Sequence, residues 1–194
     1  MPRISEPTLA EHQARQRSAL LDAAMALLAD EGVSAVTPGA VGKRAGLARA
    51  SVYQYFDSSA ALLAAAVEEA MARQISEISE ALAMAEGPAA AVEAYVTIVI
   101  DRAGTIAWRA VHALERAELP AMCRMRLEEL QDAARSPLQL ALADLRVQQP
   151  PLSAVLVAGA CDAAAQMAGA KMSAESLRSA TLEFIHCVFA KRGT

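Results

Sequence analysis

The chain has 194 residues and a formal net charge of −4, and hydrophobic residues make up 55% of it. This composition is rich enough in apolar residues to bury a core, which excludes a disordered chain, and the acidic balance argues weakly against a nucleic-acid binder. Alanine has the highest helix propensity and is abundant here, so an all-α fold is predicted.

No apolar run approaches the roughly 20 residues that a membrane-spanning helix needs. The N-terminal residues lack the apolar segment of a signal peptide, so a cytoplasmic protein is expected. Cys123, Cys161 and Cys187 are far apart in the chain and have no metal-ligand spacing. Free, buried thiols are therefore expected, with no metal and no cofactor.

The first predicted helix begins around Thr8 and ends at Gly32. It is marked by apolar residues at spacings of three and four, namely Leu20, Leu21, Ala24, Leu27 and Leu28. A short loop is predicted to follow, over residues 33–36. A second helix should begin after Thr37, which is a good N-cap, with Pro38 in its first position.

Gly46 is the expected left-handed stop of this second helix, and a third short helix is predicted from about Arg49 to Tyr55. Two short helices joined by a tight turn that contains glycine are typical of a helix-turn-helix, here over residues 37–56. From Val36 to Phe56 the chain carries three basic residues and no acidic one. This local basic segment is compatible with a nucleic-acid contact.

The third helix concentrates aromatic residues in a chain with only 4% of them. Arg49, Tyr53 and Gln54 fall, with Ala50, within one sector of about 140° on a helical wheel, which predicts an outward face. Val52 and Phe56 are predicted to pack inward, and Tyr55 to pack its ring while its hydroxyl reaches out. The alternative is that all three aromatic residues belong to the core.

Beyond this segment, a long fourth helix is predicted over residues 59–85, capped by Asp57 or Ser58 and closed at Glu86–Pro88. One or two helices should cover residues 89–118, with a break near Gly104, and another residues 121–145, with a kink at Pro137. The last two are predicted over 152–171 and 174–191, which makes about nine helices in all.

The stretches "ALLDAAMALLADEGVSAVT" and "VGKRAGLARASVYQYFDSSAALL" resemble the tetracycline-repressor (TetR) family of bacterial transcriptional regulators. The resemblance covers about residues 14–74 and implies an N-terminal three-helix DNA-binding domain. The fourth helix would join it to a helical ligand-binding and dimerisation domain over residues 88–194. The resemblance further implies a homodimer on a palindromic double-stranded DNA operator, released by a small-molecule effector.

The residues carried over to DNA contact by this resemblance lie on or near the helix-turn-helix. They are Arg15, Arg17, Thr37, Arg49, Ala50, Ser51, Tyr53, Gln54 and Tyr55. Arginine suits guanine and glutamine suits adenine, which makes Arg49 and Gln54 the candidates for base edges. Tyr53 and Tyr55 are candidates for the DNA backbone. The sequence departs from the family where Ala48 replaces a capping serine and Ser59 replaces a lysine.

The rear region contains a segment, residues 152–172, that is apolar on nearly all sides, which indicates burial against several neighbours. A four-helix dimer interface built from the last two helices is predicted, with contacts at Ala158, Gly159, Ala165, Gly169, Leu182 and Ile185. The alternative is that these two helices form the core of the monomer. The effector pocket is predicted to be lined by Tyr95, Trp108, His112, Met122 and Met125, which combine apolar surface with polar groups.

The alternatives to a DNA-binding regulator are an enzyme and a protein-binding adaptor. No nucleophile motif, phosphate-binding loop or metalloprotease motif occurs, so an enzyme is not expected. His112 and Glu115 lack a third metal ligand and are expected to form a surface pair. A helical-bundle adaptor that binds protein is the other alternative, favoured only by the two departures at Ala48 and Ser59.

Overall fold

The computed structural model describes residues 9–119, 121–168 and 172–190. Over these residues the chain forms nine α-helices and one short 3-10 helix, which confirms the predicted all-α class. The helices are α1 Leu9–Glu31, α2 Pro38–Ala45, α3 Arg49–Val52, α4 Ser59–Ala83, α5 Pro88–Asp101, α6 Ile106–Glu115, α7 Ala121–Asp144, α8 Pro150–Ala165 and α9 Ala174–Ala190.

Glycines with positive φ mark several of the helix boundaries. Gly32, Gly87 and Gly104 all have positive φ, at 86°, 103° and 77°, and each separates two helical segments. The predicted break near Gly104 is therefore confirmed, as is the long fourth helix. Its cap is Ser58, whose Oγ accepts a hydrogen bond from the amide of Ala61 at 3.1 Å.

Three predicted boundaries were wrong. The segment Val33–Ala35 is a 3-10 helix and not a loop. Helix α3 ends at Val52, because the following amides of Gln54 and Tyr55 bond to carbonyls only three residues back. Helix α8 ends at Ala165 for a similar reason, since the chain tightens at Met167. The apolar, alanine-rich sequence continues past this point, so periodicity gave no stop signal there.

The chain divides into two compact units. Residues 9–70 and 109–119 form one, and its interior holds apolar side chains that include Leu20, Leu28, Val41, Val52 and Leu62. Residues 71–108 join the later described residues in the other, whose core holds Ile78, Ile100, Leu138, Leu142 and Ile185. The predicted domain limits at residues 74 and 88 stay predictions. None of the helices described is long and apolar enough to cross a membrane.

Candidate nucleic-acid interface

Helix α2 begins and ends where local chemistry dictates. Thr37 has extended backbone angles and its Oγ1 accepts a hydrogen bond from the amide of Ala40 at 3.2 Å, with Pro38 in the first helical turn. At the other end, Gly46 adopts a left-handed φ of 71°, and the Leu47 amide donates to the carbonyl of Gly42 at 2.8 Å. The chain therefore passes from α2 into α3 through a short turn.

Gly42 is a residue whose role periodicity did not reveal. A Cβ at this position would lie 2.8 Å from the carbonyl oxygen of Leu47 and 3.1 Å from Cγ2 of Val52. A hydrogen in place of a side chain therefore lets α2 approach the turn and α3 closely. Gly39, in the same helix, has nothing within 4 Å of such a Cβ. The close approach holds the two helices of the motif together.

Helix α3 and the turn that follows it, residues 49–56, are called the recognition segment here, and its exposed and buried residues divide as predicted. Val52 is fully buried and Phe56 is nearly so, whereas 44% of the surface of Tyr53 is exposed to solvent. Arg49 and Gln54 are exposed as well. The alternative in which all three aromatic residues lie in the core is therefore wrong. An arginine, a tyrosine and a glutamine stand together on an outer surface that apolar residues anchor from behind.

Small residues and the start of α2 complete this surface. Ala50 is exposed on α3, and Ser51 is half-buried. Thr37 is exposed at the start of α2, where the first amides of the helix are oriented toward its N-terminal end. Ala48 occupies the N-cap position of α3 and supplies no side-chain hydrogen bond.

Arg49 and Tyr53 interact on the outer face of the recognition segment. Nη2 of Arg49 donates to the hydroxyl oxygen of Tyr53 at 3.3 Å, and the guanidinium lies 5.8 Å from the ring centroid. This hydrogen bond is the main cause that raises the pKa of Arg49, which stays charged. The Tyr53 hydroxyl accepts in this contact, so it keeps its proton for donation to an outside acceptor.

Tyr55 and Arg17, both predicted to contact DNA, make contacts with other residues of the protein. The hydroxyl of half-buried Tyr55 donates to Oε1 of Gln16 at 2.6 Å. The guanidinium of Arg17 lies over the ring of Phe56, 5.6 Å from its centroid. Arg15 is exposed and lines an open groove between α1 and the turn after α2. Adjacent residues of α1 thus engage the end of the recognition segment.

The basic residues of the motif differ in their surroundings. Arg44 donates to Oδ2 of Asp30 at 3.1 Å, and Oδ1 of the same carboxylate accepts from Arg109 of α6 at 3.0 Å. Asp30 therefore offsets part of the positive charge of Arg44. Lys43 is exposed on α2. Sequence spacing gave no sign of the Asp30 contacts, because the three residues are far apart in the chain.

The predicted pocket residues occupy varied surroundings. Tyr95 lies in the apolar core of its unit, where burial is the first cause that raises its pKa, followed by neighbouring Cys161 and Asp162. Trp108 is half-buried, Met125 is 60% exposed, and the side chain of Met122 lies outside the described residues. The pocket remains a prediction.

His112 differs from its predicted surface position. It is buried, and its Nδ1 lies 2.6 Å from Oε2 of Glu115. The spacing of three residues placed the two side chains together, but it could not tell which side of the helix faces the interior. Within the described ranges, no group of three or more potential ligands could hold a metal ion.

The residues predicted for a dimer interface differ in their burial, and the interface itself stays a prediction. Ala158, Ala165 and Ile185 are buried within the protomer and Leu182 is half-buried, while Gly159 is exposed and Gly169 lies outside the described residues. An apolar pattern on all sides of a helix does not reveal which side meets the protomer's own core. Among the described side chains of α8 and α9, the large apolar ones that are exposed are Leu152, Val155, Leu156, Phe184 and Val188.

Residues 20–66 match the family model described as bacterial regulatory proteins of the tetR family. No curated protein matches the chain significantly in sequence. Among solved structures, the fatty acid degradation regulator FadR from Bacillus halodurans is 18% identical with a TM-score of 0.76, over 88% of this chain and 94% of that one.

A TetR-family regulator from Rhodococcus sp. is 19% identical with a TM-score of 0.76, over 91% of this chain and 99% of that one. FadR from Bacillus subtilis, solved in complex with stearoyl-CoA, is 19% identical with a TM-score of 0.74, over 87% and 96%. The predicted resemblance is thereby confirmed: residues 20–66 carry the sequence pattern of the tetR-family regulatory proteins, and the chain has the fold of solved regulators of that family.

Proposed function

We propose that the protein is a transcriptional regulator that binds double-stranded DNA through the exposed face of the recognition segment. The observation that carries this proposal is the outward position of Arg49, Tyr53 and Gln54 above the buried anchors Val52 and Phe56. These residues lie within the segment that matches the family model. A short helix with a polar outer face and a fixed inner face fits the major groove.

The chemistry of each side chain assigns its role. Arg49 can donate two hydrogen bonds to guanine, and Gln54 can pair with adenine through its amide. The free hydroxyl proton of Tyr53 suits a phosphate oxygen, as do the first amides of α2 beside Thr37. Exposed Ala50 adds little bulk, which lets the helix approach the base edges.

The protein acts as a homodimer in this proposal. The exposed apolar face of α8 and α9 contains Leu156 and Phe184, exposed by 65% and 59%. Side chains of this size on one surface favour contact with another protein surface. A two-fold dimer presents two copies of α3, which can enter successive major grooves when they lie about 34–36 Å apart. The operator is therefore palindromic.

The regulator is a repressor that a small molecule releases from DNA. A ligand can do this only if it binds more tightly to the conformation that does not bind DNA. The ratio of its affinities for the two conformations sets how far it can lower the affinity for DNA. The Bacillus subtilis FadR structure contains stearoyl-CoA. Long-chain acyl-CoA is therefore the first effector class to test here, by its effect on the thermal unfolding temperature.

Selection of bound duplexes from a random-sequence pool tests the function. The expected result is a palindromic consensus whose half-sites are centred about 10–10.5 base pairs apart, or a multiple of that spacing. Its affinity should fall steeply with added salt, because phosphate contacts release counterions. Recovery of no sequence above background at low salt, together with a protein partner that co-purifies stoichiometrically, would favour the adaptor alternative.

A further inference from the structure

We propose that Gln16 and Tyr55 form a latch that positions the recognition segment for DNA, with Tyr55 acting as a positioning residue. This inference rests on the proposed DNA-binding function. It adds to that function a residue of α1, Gln16, that neither the helix-turn-helix pattern nor the family match assigns to any role. It also reassigns Tyr55, which the sequence placed at the DNA backbone.

Helix α3 needs external support to keep its geometry. It spans only Arg49–Val52, its N-cap is Ala48 with no side-chain hydrogen bond, and it continues as a turn through Tyr55. A single helical turn is unstable alone, because nucleation orders several residues for one hydrogen bond. Val52 and Phe56 anchor the inner face. The amides of Gln54 and Tyr55 bond to the carbonyls of Ser51 and Val52, but these local bonds do not tie the turn to α1.

The latch supplies a directional contact at this point. The Tyr55 hydroxyl donates to Oε1 of Gln16 at 2.6 Å, across 39 residues of sequence and in partly buried surroundings. Gln16 is half-buried on α1, a helix long enough to serve as a rigid support. The adjacent Arg17 covers the ring of Phe56. Two neighbouring residues of α1 thereby fix two neighbouring residues at the end of the recognition segment.

The hydrogen-bond roles separate the two tyrosines of the segment. A phenol has one proton to donate, and Tyr55 uses it on Gln16. Tyr53 accepts from Arg49 and so retains its proton for phosphate. Loss of the Tyr55 hydroxyl would therefore act through the orientation of Tyr53 and Gln54 on the outer face.

A double-mutant cycle tests the latch. The affinity of Gln16→Ala, Tyr55→Phe and the double variant is measured for the duplex that pool selection yields, at one salt concentration. Each single variant is expected to bind about three- to tenfold more weakly, as for the loss of one partly buried hydrogen bond. The double variant should lose no more affinity than either single variant, because each single substitution already removes the same contact. Gln13→Ala, an exposed glutamine on the same helix, is the matched control and should bind like the wild type.

The alternatives give distinct results. If Tyr55 donates to phosphate, Tyr55→Phe alone weakens binding and Gln16→Ala leaves it unchanged, which overturns the latch. Losses of affinity that add in the double variant overturn the latch too. A lowered unfolding temperature with wild-type affinity also overturns it, because it would show that the contact only stabilises the fold. Tyr55→Phe keeps the packed ring, so the cycle does not depend on Gln16→Ala alone. If the wild type binds no duplex, the proposed function fails, whereas wild-type binding that Gln16→Ala leaves unchanged rejects the latch alone.

Discussion

Gly39 and Gly42 both lie in α2 and both lower its intrinsic helix propensity, but their surroundings differ. A Cβ at position 39 would meet open space, while one at position 42 would meet the carbonyl of Leu47 and the side chain of Val52. Two glycines in a helix of eight residues imply that neighbours must support it. The sequence could not tell which glycine makes the close contact possible, because that depends on the position of α3.

This difference predicts opposite effects of the same substitution. Gly42→Ala should lower the free energy of unfolding by about 1–3 kcal/mol, since backbone atoms must shift to admit the methyl group. Gly39→Ala should raise it by up to about 1 kcal/mol, because alanine costs less backbone entropy in a helix. Urea unfolding monitored by circular dichroism measures both. Equal effects of the two substitutions would contradict the close approach.

At the scale of secondary-structure elements, local chemistry determined what the sequence could predict. Thr37, Pro38 and Gly46 bound α2 as expected, because capping depends on neighbouring residues only. The shortened α3 and α8 depend on how the chain tightens after Val52 and Ala165, which periodicity does not record. The ion pairs of the Asp30 carboxylate, which join α1 to α2 and α6, could not be predicted for the same reason.

Asp30→Asn tests how this carboxylate affects the basic surface of α2. The pair with Arg44 is largely exposed, so stability should change by less than about 1 kcal/mol. Affinity for DNA at low salt should increase, and its salt dependence should steepen, because Arg44 loses its anionic partner. Fluorescence anisotropy over a range of salt concentrations measures this effect.

The matched control for this effect is Glu31→Gln, which removes the same charge from the neighbouring exposed position at the end of α1. It should raise affinity less than Asp30→Asn does. Identical gains in the two variants would mean that overall charge, and not the release of Arg44, accounts for the change.

At the scale of the whole molecule, the fold class and the family pattern could be predicted, because helix periodicity and the motif at residues 37–56 are encoded locally. The side chains that are available for dimerisation could not be predicted from the sequence. Ala158 and Ile185 are part of the protomer core, whereas Leu156 and Phe184 are exposed, and only the packed structure separates these two sides.

Phe184→Glu should convert the proposed dimer into monomers, because it places a charge on the exposed apolar face of α8 and α9. Sedimentation equilibrium measures the dissociation constant, which should rise by at least about tenfold, equivalent to about 1.4 kcal/mol. Leu140→Glu is the control, since Leu140 is a similarly exposed apolar residue on α7. A dimer that survives Phe184→Glu but not Leu140→Glu would move the interface to α7.

The central claim, that the outer face of the recognition segment contacts DNA bases, is tested most directly by base preference. Affinities are measured for the selected duplex and for its single-base-pair variants, with Arg124→Ala on α7 as a charge-matched control. Arg49→Ala and Gln54→Ala should each lose about 1–3 kcal/mol of discrimination at one position per half-site. Tyr53→Phe should weaken binding to all duplexes alike. Wild-type base preference in both Arg49→Ala and Gln54→Ala would contradict the account.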